Sequence, residues 1–456
     1  MSPGGTRFLL FPVYAEGMAP EIVTLPRPPG SIGPGPSDPE LYVADAADKP
    51  APYDPPAYTP PYQGALLPPA MPDAEGNFDH IPFGTPQFLA AHLYGSVRHT
   101  LDIWQHYLHR RIVWASAAEY PRMELIPLLD WNNAQSGPGF LETGLWRGPH
   151  GAMQPFALNF DVIAHETGHQ ILFAMVGVPD AEQVGVPFLA FHEAFSDLVA
   201  LIALMHFPSV LPRLLEETQG NLYVLNLVNR FAETSPHTQI RLASNTETMA
   251  DVAGITLAPD GTWIDPTGQG RNQHAIAQPL IGAIFDILVE IYQETLVAEG
   301  LLPEEADARG WTRAEVEAAF GEVHAHSARA YRRFAQGFGT AIRHARDEVG
   351  HAIAHVMLTV KPEGLNFGKV AARFVEGLLE RGHGKLLHAT LDHFLWRGID
   401  PRPYLRFVPA SAPGQPGRGR LFRVVVAAHR AGCVQCSTHL TLQALRLIRA
   451  GHGAAG

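Results

Sequence analysis

The chain has 456 residues, 46% of them hydrophobic, and 45 acidic against 33 basic residues give it a net charge of −12. That length supports two or three domains with cores of their own, and the acidic balance argues against nucleic acid or an anionic membrane as partner. No uncharged apolar run approaches the ~18 residues of a membrane span, so none is expected.

Near the start, Arg7 is followed by the apolar stretch Phe8 to Ala15. It is too short and too proline-broken for the apolar segment of a signal peptide, and it reads as a strand. A cytoplasmic location is therefore expected, with secretion as the alternative. Residues 1–77 are rich in proline, which excludes helix and disfavours central strands. They read as an extended arm laid along the body, with Tyr42, Tyr53, Tyr58 and Tyr62 to bury. A helix is predicted over Pro86–Tyr107, then strands over Arg111–Ala115 and Met123–Leu129, then a glycine-rich turn. The apolar stretch from Phe160 to Val178 reads as a buried helix.

Beyond residue 190 the period is helical. Helices are predicted over Ala190–Met205, Pro279–Glu299, Arg313–Arg346, Phe367–Arg381 and Lys385–Arg397. After Pro401, strands are predicted over Tyr404–Val408, Leu421–Ala428 and Thr438–Ile448. The expected architecture is α+β and two-lobed: an arm (1–77), a mixed α/β lobe (78–178), a helical lobe (179–400) and a β-rich tail (401–456), with a cleft between the lobes.

The strongest chemical signal is His165-Glu166-Thr167-Gly168-His169. Histidines at i and i+4 share one helical face, so two imidazole nitrogens can meet one metal ion. Glu166 is placed to act as general base on a water activated by that metal. Catalytic zinc takes three protein ligands and keeps one open position, so a third ligand is required. Glu193, 24 residues beyond His169, opens a second apolar helix and is the expected third ligand. Asp197, one turn later on the same side, is expected to accept the other ring N–H of a ligand histidine. His192 would point about a quarter turn away, and Glu182 sits in a loop punctuated by Gly and Pro. Leu172 and Met175 occupy the positions where a longer HExxHxxGxxH motif needs Gly and His.

These residues resemble the thermolysin-like zinc metallopeptidases, in which HExxH is followed by a downstream glutamate. The resemblance extends over roughly residues 78 to 400 and implies a zinc-dependent endopeptidase acting on a peptide or protein substrate. It implies that Asn133 and Ala134, in Asp130-Trp131-Asn132-Asn133-Ala134, belong to an edge strand that grips substrate backbone. It implies that Arg241 contacts the substrate carbonyl and that His274, ahead of the Pro279 helix, stabilises the oxyanion. Asp265 is a possible partner for His274 by proximity. Two departures stand out. The interval from His169 to Glu193 is a few residues longer than in the best-known members, and no tyrosine lies between Gln170 and His192, where such enzymes carry an oxyanion-stabilising one. A zinc protein of this fold that has lost catalysis, an effector protease of narrow range and a non-peptide amide hydrolase are the competing readings.

Two further patterns are weaker. Cys433 and Cys436, with His439 nearby, fit half a zinc knuckle, a redox pair, a local disulfide or a plain turn. His344, Glu348, His351 and His355 form a helical stripe whose Glu-x-x-His part resembles half of a di-metal site, but a water-facing polar stripe is the expected reading.

Overall fold

The structure, a computed structural model, describes residues 4–14, 17–147, 153–179, 184–224, 226–231, 241–309 and 313–406. The predicted tail strands beyond residue 406, the Cys433–Cys436 pair and Glu182 lie outside the described residues.

The N-terminal segment contributes strands. β1 (Thr6–Leu10) and β2 (Glu21–Leu25) pair antiparallel, and β3 (Leu41–Val43) joins a larger sheet. β1 alternates buried and half-buried residues, placing Phe8 and Leu10 against α1 (Pro86–Leu108). α1 starts where Thr85 accepts a hydrogen bond from the Phe88 amide, with Pro86 in the first turn, a position that needs no N–H.

β4 (Met123–Ile126) is shorter than its hydrophobic run, because Pro127 has no N–H to continue the ladder. The predicted strand at Arg111–Ala115 is irregular chain and turn. Side chains hold it instead: the Ile112 amide donates to Gln105 Oε1, and Trp114 Nε1 donates to the Glu40 carbonyl. Four short strands follow, the first where the resemblance implies an edge strand at Asn133 and Ala134 and the others where only a turn is predicted. β5 (Ala134–Gly137), β6 (Phe140–Thr143), β7 (Leu145–Arg147) and β8 (Met153–Pro155) are short, and β5 is built of residues with little strand preference. The four-stranded sheet has the order β3-β4-β6-β5, so β5 is an edge strand, antiparallel to β6.

A buried polar network ties the proline-rich segment to this sheet. Lys49 Nζ lies 2.9 Å from Glu142 Oε2, and the Tyr53 amide donates to Glu142 Oε1 at 2.6 Å. The Tyr42 and Tyr53 hydroxyls donate to Glu124.

The helical part centres on α2 (Phe160–Met175), α3 (Val186–Leu204) and α5 (Gln273–Ala298), with α3 packed between α2 and α5. α3 and α5 are long and apolar enough to cross a membrane by length and composition, but both carry charged residues and 89% of each apolar window is buried in this fold. Around them pack α4 (Val210–Thr218), α6 (Arg313–Thr359), α7 (Phe367–Glu380) and α8 (Leu387–Trp396). α6 runs past its predicted end to the residues before Pro362, the first strong stop, and kinks at Phe334. α5 begins six residues before Pro279, because Asn272 caps it by accepting from the His274 amide. Pro279 sits in the second turn and removes one ladder bond there. The largest buried apolar cluster includes residues from Phe8 to Ile399.

Candidate metal centre

α2 and α3 lie close enough for backbone contact at one turn. A Cβ on Gly168 would meet the Ser196 Cα at 2.9 Å. This approach aligns the two histidines of α2 with the three polar residues Glu193, Ser196 and Asp197 of α3, all buried.

His165, His169 and Glu193 bring one potential ligand atom each into a common space. The Nε2 atoms of the two histidines are 3.1 Å apart. Glu193 Oε2 is 3.4 Å from the first and 3.8 Å from the second. A tetrahedral zinc ion with bonds of about 2.0–2.1 Å has ligand–ligand edges of about 3.3–3.4 Å. The three observed separations bracket that value, and two neutral imidazoles with one carboxylate suit zinc chemically. The residues therefore fit a bound Zn²⁺.

The outer ring nitrogens support the same orientation. His165 Nδ1 lies 2.7 Å from Asp197 Oδ1. An ionised carboxylate only accepts, so Nδ1 carries the proton and Nε2 presents a lone pair inward. His169 Nδ1 lies 3.0 Å from Ser196 Oγ. Burial pushes the His169 imidazole well below its ordinary range and favours its neutral form. Burial alone would raise the Glu193 carboxyl, but His274, His165 and His169 outweigh it and hold the group well below the usual carboxylate range.

His192, the other α3 histidine, is buried among Phe173, Phe188 and Phe191, and its ring stacks on His169. Neither of its ring nitrogens has a hydrogen-bond partner among the described residues. It stands outside the ligand trio.

Glu166 is buried on α2, and its backbone carbonyl accepts from Ser136 Oγ at 2.9 Å. That bond joins the edge strand β5 to the motif helix. Asn133 and Ala134 lie at the start of β5, both buried. His274 is in the first turn of α5, with Nδ1 2.9 Å from Glu193 Oε2. Asp265 does not serve it. That carboxylate turns back on its own loop to the amides of Thr267, Gln269 and Arg271. Arg241 lies on a two-residue strand paired with Phe231, and only its backbone belongs to the described structure.

Sequence reasoning did not single out Ser136 or Ser196. Ser196 stands between Glu193 and Asp197 on the same helix, so its spacing carried a usable signal. Ser136 had none, because its contact depends on how the sheet edge meets α2.

The His344, Glu348, His351, His355 stripe divides differently. Glu348 takes Arg381 through both oxygens and His383 Nε2 at 2.8 Å. His351 instead stacks on His109, and His355 faces Glu380. His344, Glu348 and His383 do form a metal-sized group, with the carboxylate already neutralised by the guanidinium.

No protein-family model matches the chain, and no curated protein matches it in sequence. Among solved structures it is similar to the precursor of protealysin, a metalloproteinase from Serratia proteamaculans. The identity is 11%, the match covers 78% of this chain and 86% of that one, and the TM-score is 0.44.

Proposed function

We propose that this chain is a zinc-dependent endopeptidase. The observation that carries the reading is the trio of His165, His169 and Glu193 at tetrahedral separations, with the Glu166 carboxylate next in sequence to one ligand. Zn²⁺ held there supplies a Lewis acid that lowers the pKa of water toward ~7. Glu166 accepts the proton lost by the attacking water and returns it to the leaving amine. A positioned base of this kind contributes on the order of 10²–10⁴-fold in rate. A structural metal site has no use for such a base, which favours an enzyme over a binding protein.

The other residues take positioning roles. Asp197 keeps His165 in the tautomer that presents Nε2. β5 is the last strand in the order of its sheet, beside α2, and an extended peptide would add there as a further strand. Asn133 and Ala134 sit where that strand begins. His274, steadied through Nδ1 by Glu193, has Nε2 on the opposite side of its ring, and as the imidazolium, in which both ring nitrogens donate, it donates from Nε2 to the oxygen of the scissile carbonyl. Arg241 is assigned to the substrate carbonyl on the leaving-group side.

The test is hydrolysis of a mixed peptide library by the wild type and by Glu166→Gln, with metal content measured in parallel. Cleavage by the wild type, and its loss in a variant that keeps its metal, supports the proposal. Wild-type turnover in Glu166→Gln overturns it.

A further inference from the structure

Away from the metal centre, a half-open groove of about 590 Å³ lies between the proline-rich segment, the start of α1 and the β7–β8 hairpin. Its walls are largely apolar and include Phe83, Leu89, Leu128 and Leu158. Phe83 and Leu128 are 51% and 38% exposed. None of His165, His169 and Glu193 lines it.

One lining residue contradicts this apolar character. Asp45 is only 7% exposed. Its carboxylate has no hydrogen bond and no ion pair among the described residues. Its Oδ2 is buried with no hydrogen-bond partner among the described residues, which is unfavourable for an ionised oxygen, and such perturbed groups in a cleft are candidates for a ligand contact. Lys49, the cation that lines the groove, is already committed, held by Glu142 and the Ala51 carbonyl. Asp48 and Asp130 also line the groove, Asp48 accepting from the Tyr62 hydroxyl and Asp130 paired with Arg147, so Asp45 is the lining carboxylate without a partner. The carboxylates do not converge as a metal site would require, since the metal-sized groups among the described residues lie elsewhere.

We propose that this groove is a second ligand site, which binds an organic ammonium ion with an aromatic or branched apolar body. The ammonium pairs with Asp45, and the body lies against Phe83, Leu89 and Leu128. The volume falls within the range of about 300–1,000 Å³ typical of small-molecule sites, and the wall composition gives a cation with an apolar body an advantage over either property alone. The site is independent of the peptidase reading and stands or falls separately.

The experiment is calorimetric titration at pH 7.5 of the intact chain with three probes: 2-phenylethylamine, its neutral isostere 2-phenylethanol, and 3-phenylpropanoate. Asp45→Asn and Leu128→Trp are titrated alongside, with thermal unfolding as the check that both are folded. The amine is expected to bind at least ~10-fold more tightly than the alcohol, a difference of one charge-assisted contact, and the anion not at all. Asp45→Asn is expected to erase the preference for the amine, and Leu128→Trp, which fills the groove, to weaken the amine. Three results overturn the proposal: no amine binding at 10 mM, equal binding of amine and alcohol, or undiminished amine binding in a folded Asp45→Asn. Competition by Ca²⁺ at equal concentration would replace it with a metal site.

Discussion

A Cβ added to Gly168 would sit 2.9 Å from the Cα of Ser196, so α2 and α3 touch backbone to backbone within the turn that carries the candidate metal ligands. The missing side chain lets His169 reach Ser196 Oγ and lets Glu193 approach both histidines. Glycine is otherwise a poor residue inside a helix, by about 1 kcal/mol relative to alanine. Gly168→Ala therefore gains helix propensity and loses fit. Forcing a methyl into a filled interface costs about 1–3 kcal/mol, and the separated helices spread the ligand trio. The expected result is lower thermal stability together with zinc affinity weakened at least ~10-fold, measured by chelator competition. An unchanged zinc affinity would show that the close approach is not needed for the site.

His274 is expected to act on the reaction rather than on the metal. His274→Phe keeps the ring volume and removes both nitrogens. Removal of one oxyanion donor costs about 10²–10³-fold in kcat. Steady-state kinetics should show kcat falling far more than KM rises, with zinc content unchanged. Loss of zinc instead would mean that the contact of His274 with Glu193 holds the ligand in place.

The proline-rich segment is part of the fold, through a buried ion pair. Lys49 and Glu142 are both fully buried. Removing one partner of such a pair strands the other charge and costs about 3–5 kcal/mol. Lys49→Met should show that loss in urea unfolding, and a loss below about 1 kcal/mol would contradict the role. For the same reason, deletion of residues 1–77 should yield unfolded chain rather than an activated enzyme.

Stability should also carry the signature of Asp45. Burial alone pushes its carboxyl up to about 6. A carboxyl raised in the folded state favours folding while it is protonated in both states. That advantage is lost as pH rises from the unfolded value of about 4 through 6. Asp45→Asn should therefore match the wild type near pH 4 and unfold at a higher temperature than the wild type at pH 7–8. Parallel melting curves across pH 4–8 would contradict the assignment.

Local signals made part of this legible from sequence. The i, i+4 histidines and the apolar period of α2 are written within a few residues, and Glu193 with Asp197 repeats the pattern one helix later. The helix starts at Pro86 and Phe367 follow from local caps. Relationships set by tertiary packing were not legible. β5 has little strand preference of its own, so only the resemblance pointed to an edge strand at Asn133 and Ala134, and its place between β6 and α2 comes from packing. Asp265 looked near His274 along the chain, but Glu193 arrives from another helix. The burial of Asp45 depends on how the proline-rich segment meets α1, which no local pattern encodes.

The most direct test of the account is zinc stoichiometry, by elemental analysis after exhaustive dialysis, of the wild type and Glu193→Ala. The account predicts one zinc per wild-type chain and almost none in the variant, because two histidines alone make a weak site. Stoichiometric zinc of undiminished affinity in Glu193→Ala, or none in the wild type, would contradict it.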